Sequence, residues 1–234
     1  MKRLICFDLD GTLTQHRSPL EAESRALLDA LSEKYKLVMV GAGAAERIYR
    51  QMGEYPIDII ANYGMEQAVV EGGALRIIRR TQSKPDRADF LKKAAYLREK
   101  YGYTDYRGES VEFHPSGMVT FSLLGSQALV SDKLVFDPSR ERRRLLYPEV
   151  LKLFPDYTVY IGGSSSFDFT EKQYNKYDAI MRYAEENGYG RDEILYVGDD
   201  FGVGGGDSHV RLGGLDYVEI TDYRTTPERL RFLL

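Results

Sequence analysis

The strongest constraint on this chain is a change of pattern along its length: strand-like and helix-like segments alternate at both ends, while the middle reads as antiparallel. Leu4 to Phe7 is a short apolar run closed by acidic residues, Lys36 to Gly41 is another, and each leads into a segment with helical spacing. Strands separated by helices imply a mainly parallel sheet. Capping-box spacing between Ser18 and Glu21, Pro19 at a first helical position and the stripe Leu20, Leu27, Leu28 and Leu31 announce the first helix. Ile57 to Ala61 reads as a third strand. A hairpin follows, with Ala68 to Val70 and Leu75 to Ile78 joined through Glu71, Gly72 and Gly73.

The middle predicts a helix from Asp86 to Tyr101 with Phe90, Ala94 and Leu97 on one side, then alternating strands Ser110 to His114 and Met118 to Leu123. A basic helical stretch from Ser139 to Phe154, broken or restarted at Pro148, and a strand Thr158 to Ile161 complete it. Beyond Gly162 the βα alternation returns, with a helix from Tyr174 to Asn187 and strands Ile194 to Val197 and Tyr217 to Ile220. The expected architecture is α/β, a Rossmann-like parallel-sheet core of residues 1–83 and 166–234, split by an α+β insertion at 84–165. An insertion of roughly 80 residues is large enough to form its own small domain.

Composition narrows the function classes. The 32 basic side chains are scattered among 36 acidic ones, so no broad cationic face is expected for nucleic acid. No apolar run reaches the roughly 18 residues of a membrane span, and the start of the chain lacks the pattern of a signal peptide. With one cysteine, Cys6, inside an apolar run, an internal disulfide is excluded. A cytoplasmic enzyme without membrane or nucleic-acid partners is the expectation.

The chemical signal is Asp8-Leu9-Asp10-Gly11-Thr12-Leu13-Thr14, directly after the first strand. Open α/β sheets bind ligands beyond the carboxyl ends of their strands. Residues two apart on extended backbone project the same way, so Asp8 and Asp10 can address one small volume. Paired carboxylates suit a hard divalent cation such as Mg2+. Asp10-Gly11 alone is also an ordinary turn, but Gly198-Asp199-Asp200 places further carboxylates at a second strand end, followed by Gly204-Gly205-Gly206-Asp207.

These strings resemble the haloacid dehalogenase-like superfamily of phosphotransferases, whose first signature matches the opening heptad. The whole chain is most similar to the phosphomannomutase-like branch and its Cof-type, subclass IIB phosphatase relatives, in which a cap follows the third core strand. Asn62-Tyr63-Gly64, Glu112-Phe113 with Gly117-Met118, Gly162 to Asp168, and Asn175-Lys176-Tyr177 resemble further motifs of that branch, in order along nearly the whole chain.

The resemblance implies a Mg2+-dependent phosphatase of a small phosphorylated metabolite, a sugar phosphate, with Asp8 as nucleophile and Asp10 as general acid and base. It also implies Asp8, the Asp10 carbonyl and Asp199 as metal ligands, Asp200 or Asp207 as further ligands or as residues supporting them, and Lys176 on the phosphoryl group, with nearby Lys172 as its rival. Ala42 and Gly43 take the place where the wider superfamily carries a hydroxyl, so backbone N–H groups would bind phosphate there; a tight turn needed only for packing is the other reading. Asn62, Arg107, His114, Ser165 and Asp168 are substrate candidates. His114 and Ser126 stand near positions where phosphomannomutases carry arginines for a second phosphate, which weighs against a phosphohexomutase, the alternative enzyme. A non-catalytic phosphate-binding module is the alternative of another class. For assembly the expectation is a homodimer through the cap.

Overall fold

The apolar run at the start of the chain becomes β1 (Leu4–Phe7), and all of its side chains are buried because it lies in the middle of a sheet. The computed structural model describes residues 1–234. β1 pairs in parallel with β2 (Lys36–Val40) on one side, with Leu4 opposite Lys36. On the other side it pairs with β10 (Ile194–Gly198), Leu4 opposite Ile194. The remaining strands in chain order are β3 (Asp58–Ala61), β4 (Glu66–Glu71), β5 (Ala74–Arg80), β6 (Val111–Phe113), β7 (Val119–Ser122), β8 (Tyr157–Tyr160), β9 (Ser166–Glu171) and β11 (Asp216–Glu219). Seven of them form one sheet in the order β11-β10-β1-β2-β3-β4-β5, parallel except for the antiparallel β4 and β5. The other four form an antiparallel sheet, β6-β7-β9-β8.

The chain accordingly divides into two units, Met1–Arg80 with Tyr174–Leu234, and Thr81–Gln173. In the first, alternation along the central strands sorts side chains to two faces. Ile5, Phe7, Leu37 and Met39 pack with Leu27, Leu28 and Leu31 of α1 (Ala22–Ser32) and with Ile48 of α2 (Ala45–Gln51). Leu4, Cys6, Val38 and Val40 face the opposite layer, which holds Ile180, Tyr183 and Ala184. An isolated helix as short as those is marginal in water, whereas burying one Leu or Ile contributes about 1.5 to 3 kcal/mol. The apolar stripes therefore hold these helices on the sheet. Burial pushes the Cys6 thiol pKa up, as befits a packing residue.

In the second unit, α3 (Arg87–Tyr101) is followed by α4 (Val130–Phe136) and α5 (Glu141–Leu153). Phe90, Leu97, Leu146 and Val150 from α3 and α5 cover the face of the sheet that carries Val119, Phe121, Phe167 and Phe169. The Phe90 ring stacks on Phe154 with centroids 4.7 Å apart and meets Phe169 edge-on at 5.3 Å. A buried ion pair, Arg143 Nε to Asp137 Oδ2 at 2.8 Å, extends through Arg143 Nη1 to the carbonyls of Gly162 and Gly163. It fixes the loop that leads into β9.

Back in the first unit come α6 (Lys176–Glu186), α7 (Ser208–Leu212) and α8 (Thr226–Arg229). The structure departs from the sequence reading in several places. α1 starts at Ala22 rather than beside Pro19, and its N-cap Glu21 makes no side-chain cap bond. Leu20 N–H instead donates to Gln51 O, so residues before the helix are drawn into a tertiary contact. α5 runs through Pro148 without a break. The missing N–H costs about 3 kcal/mol, and burying Leu146 and Val150 on either side offsets it. The sequence places the return to the core at residue 166, whereas Ser166–Glu171 forms β9 between β7 and β8, so the second unit extends to Gln173. α4 carries no capping or periodic signal that would have announced it.

Candidate active site

β1 delivers Asp8 to the carboxyl end of the parallel sheet, where its N–H still donates to Val197 O on β10 at 2.8 Å. One carboxylate oxygen, Oδ1, accepts from Lys176 Nζ at 2.6 Å. That lysine opens α6, and the N-cap Asn175 fixes the helix start by accepting from Asp178 N–H at 2.9 Å. The same Nζ donates to Asp207 Oδ1 at 2.7 Å and to Tyr196 Oη at 3.1 Å, while the Tyr196 hydroxyl donates to Asp207 Oδ1 at 2.5 Å. Asp8, Lys176 and Asp207 are all buried, with exposures of 7%, 3% and 0%. Lys172, the rival by position, is exposed.

One ammonium thus serves two carboxylates in a desolvated space. Burial pushes Asp8 up, Lys176 pulls it back and Asp207 pushes again, leaving its pKa raised to about 6. For Asp207 burial acts upward too, but Lys176, Tyr196 and the Asp200 N–H outweigh it and hold the carboxylate below its ordinary value. Lys176 is raised, because its two carboxylates overcome the cost of burial.

Asp199 completes the cluster from the end of β10. Its pKa rises to about 9, first through burial and then through repulsion by Asp8, Asp207 and Asp200. Thr12 Oγ1 donates to its Oδ1 at 3.3 Å. Gly11 has φ 96° and lies so close that a Cβ there would stand 2.5 Å from Asp199 Oδ2, so only glycine fits between the two loops. Asp8 and Asp199 form a set of hard oxygen donors whose charge the protein compensates only in part. That chemistry fits Mg2+.

The other two acidic candidates behave differently. Asp207 Oδ2 accepts from the N–H groups of Asp199 and Asp200 at 3.1 and 3.0 Å, so both of its oxygens serve protein donors. Asp200 Oδ2 accepts from Gly206 N–H at 2.9 Å and ties off the same loop. These two carboxylates brace the loop that carries Asp199, the supporting one of the two roles expected of them.

Asp10 also differs from its expected pose. Its Oδ1 accepts from Gln51 Nε2 and from Arg17 N–H, each at 2.7 Å, and its Oδ2 lies 3.2 Å from Arg47 Nη1. Burial pushes Asp10 up, but Arg47, His16 and these hydrogen bonds prevail and hold it ionised below the usual carboxylate value. The loop of Ala42 and Gly43 is bracketed from behind. Asn62 N–H donates to Gly43 O at 3.0 Å and Tyr63 N–H to Gly41 O at 3.3 Å, with Asn62 and Tyr63 both at positive φ. Ala45 N–H donates to Glu66 Oε2 at 3.1 Å. An open depression of about 610 Å³ adjoins Gly11, His16 and Asp199 and is rimmed by Asp222 and Arg224.

Within the second unit, His114 Nε2 is 3.0 Å from Thr120 Oγ1, whose hydroxyl donates to Asp168 Oδ1 at 2.9 Å. Ser165 is buried and offers its carbonyl to Leu123 N–H at 2.9 Å. Arg107 is exposed, and its backbone joins Leu124 and Gln127. The structure therefore links His114 and Asp168 through Thr120.

No family model matches the chain. It is 28% identical over 220 residues to phosphomannomutase of Saccharomyces cerevisiae, covering 88% of this chain and 84% of that protein. To phosphomannomutase 1 of Mus musculus it is 26% identical over 229 residues, covering 89% and 83%. Among solved structures it is similar to a HAD subclass IIB sugar phosphatase, with a TM-score of 0.66 over 100% of both chains at 16% identity. In sequence the chain is similar to phosphomannomutases, and in fold to sugar phosphatases of the haloacid dehalogenase superfamily.

In this phosphomannomutase-like chain the sequence reading missed Arg47, Gln51 and Tyr196. Arg47 and Gln51 stand four apart on one helix face, and Arg47 Nη1 donates to Gln51 Oε1 at 2.6 Å. That spacing was a readable signal. Tyr196 was hidden within an apolar strand, where an aromatic reads as core.

Proposed function

We propose that this protein is a magnesium-dependent phosphatase of a small phosphorylated metabolite, a sugar phosphate, working through an aspartyl-phosphate on Asp8. The observation that carries the reading is the hold of Lys176 on Asp8 Oδ1 at 2.6 Å within a buried acidic cluster. It leaves Oδ2 to turn toward phosphorus. Magnesium held by Asp8, Asp199 and the Asp10 carbonyl would neutralise charge on the phosphoryl oxygens.

In the first half-reaction Asp8 Oδ2 bonds to phosphorus as the ester P–O bond breaks, and Asp10 in its protonated form gives its proton to the leaving oxygen. Lys176 stabilises negative charge on the phosphoryl group and on Asp8. In the second, ionised Asp10 takes a proton from water, the water oxygen attacks phosphorus, and the P–Oδ2 bond breaks to restore Asp8 and release inorganic phosphate. The clamp of Arg47 and Gln51 on Asp10 favours the ionised form that this second step uses.

His114 and Ser126 stand near positions where phosphomannomutases carry arginines for a second phosphate, so water is the acceptor in this reading. The names of the relatives, phosphomannomutase in yeast and mouse, favour the second reading, a phosphohexomutase sharing the first half-reaction. A panel of phosphorylated metabolites with magnesium, plus mannose 1-phosphate and glucose 1-phosphate with and without the matching bisphosphate, followed by phosphorus resonances, decides between them. Inorganic phosphate released from one of the panel supports the phosphatase. Bisphosphate-dependent accumulation of a hexose 6-phosphate means mutase, and no turnover of any ester sinks both.

A further inference from the structure

We infer that Thr226 is a positioning residue for the metal carboxylate: through the backbone of Thr12 it sets the pose of Asp199 and thereby the affinity for magnesium. The inference deepens the magnesium-dependent reading above and rests on it. Thr226 opens α8, is fully buried, and donates from Oγ1 to the carbonyl of Thr12 at 2.6 Å, across 214 positions of sequence. Thr12, also fully buried, donates from its own Oγ1 to Asp199 Oδ1 at 3.3 Å. Beside it Gly11 abuts the other oxygen, since a Cβ there would stand 2.5 Å from Asp199 Oδ2. One short stretch of backbone thus meets both oxygens of the carboxylate, and Thr226 holds the end of that stretch.

The two bond lengths explain why the grip matters. Hydroxyl bonds are usually about 2.7 to 2.8 Å long, so the 3.3 Å contact of Thr12 with Asp199 has no slack, and a small shift of the loop breaks it. The bond from Thr226 is short and lies in the interior, where a hydrogen bond is electrostatically stronger than in water. Thr226 is in turn fixed by the packing of α8, since Leu230, one turn on, belongs to the same buried core as Leu13 and Leu27. Groups that stand behind a metal ligand fix its orientation and so tune its affinity.

A merely structural role must be separated, and the same loop supplies the control. Ser24 of α1 donates from Oγ to Leu13 O at 2.9 Å and is likewise buried. Two neighbouring carbonyls are therefore held by two buried hydroxyls. The residue that Ser24 holds, Leu13, lies in the apolar core, whereas the residue that Thr226 holds reaches Asp199. Losing either hydroxyl leaves a buried carbonyl unmet and should cost stability. Only the loss at Thr226 should also cost magnesium.

The test is calorimetric titration of magnesium chloride into the metal-free protein, with urea midpoints measured beside it, for wild type, Thr226→Val, Thr226→Ser, Ser24→Ala, Thr12→Val and the Thr12→Val/Thr226→Val double variant. Thr226→Val exchanges the hydroxyl for a methyl of similar size and should weaken magnesium about tenfold, the low end of what such a supporting partner is worth. Thr226→Ser should bind like wild type, and Ser24→Ala should unfold at lower urea yet bind magnesium unchanged. With Thr12→Val already in place, Thr226→Val should weaken magnesium no further. Thr12→Val cuts the same path from the other end, so if Thr226→Val does not fold, a Thr12→Val chain that binds magnesium like wild type overturns the inference. Equal affinity in Thr226→Val and wild type overturns the inference alone, as does an equal loss of magnesium in Ser24→Ala or an undiminished effect in the double variant. A wild type that binds no magnesium overturns the magnesium-dependent reading itself, and the inference with it.

Discussion

Lys176 Nζ lies 2.6 Å from Asp8 Oδ1, although the two residues are 168 positions apart in the chain. With Asp207 2.7 Å from the same nitrogen, the lysine is the charge on which two buried carboxylates depend. Replacing it by methionine would leave both without their cation. Removing one partner of a buried ion pair costs about 3 to 5 kcal/mol, so Lys176→Met should unfold at markedly lower urea than wild type as well as lose turnover. A variant that was inactive but fully stable would show that the lysine serves chemistry alone.

Asp8→Asn should abolish phosphate release by several orders of magnitude while the fold persists, since the amide cannot form the covalent intermediate. Near-normal turnover by this variant would end the nucleophile assignment. Asp10→Asn is expected to hurt sugar phosphates far more than activated aryl phosphates, whose leaving groups need no proton; initial rates on both classes check this.

Asp199 is repelled by Asp8, Asp207 and Asp200 in a buried setting. With its pKa raised to about 9, Asp199 must take up a proton when the metal-free chain folds at neutral pH, a cost that asparagine does not carry, so Asp199→Asn should melt higher than wild type in excess chelator. Magnesium should raise the melting temperature of wild type and leave that of the variant nearly unchanged. Equal stabilisation of both by magnesium would place the metal elsewhere.

A pH effect is expected in the second unit. Glu149 receives hydrogen bonds from Lys100, Tyr101 and Tyr96, which lower its pKa from 4.5 to about 2. A carboxylate with a depressed native pKa adds stability above its ordinary value and loses it as pH falls toward the native one. Glu149→Gln should therefore lower the urea midpoint modestly at pH 7, with the gap to wild type closing between about pH 4.5 and pH 2. A gap independent of pH would mean that packing, not charge, accounts for the difference.

Much of this was legible in the sequence because local pattern and tertiary need agreed. The opening heptad and the strand-end acids foretold that Asp8 and Asp199 meet, since a parallel sheet gathers its strand ends on one side. What escaped was decided by contacts between distant residues. Residues from 166 onward read as core because Gly162 to Asp168 resembles a return to the core, and only the pairing of β9 with β7 and β8 tells which sheet it joins. The parking of Asp10 on Arg47 and Gln51 was likewise invisible, because which partner a flexible acid chooses depends on three-dimensional proximity. For Asp207 the motif leaves open whether it binds metal or supports the ligands, and its four protein donors give it the supporting duty.

The placement of β1 between β2 and β10 has a consequence for how the molecule is made. β2 ends at Val40, whereas β10 begins at Ile194, so one flank of the most apolar strand has no partner until the ribosome has added roughly 150 residues more, about 8 to 30 s at ordinary elongation rates. An unpaired edge of that kind is a template for wrong pairing. The nascent chain should therefore be a strong chaperone client through most of its synthesis, and the strand that leads into Asp8 among the last in the first unit to be sealed.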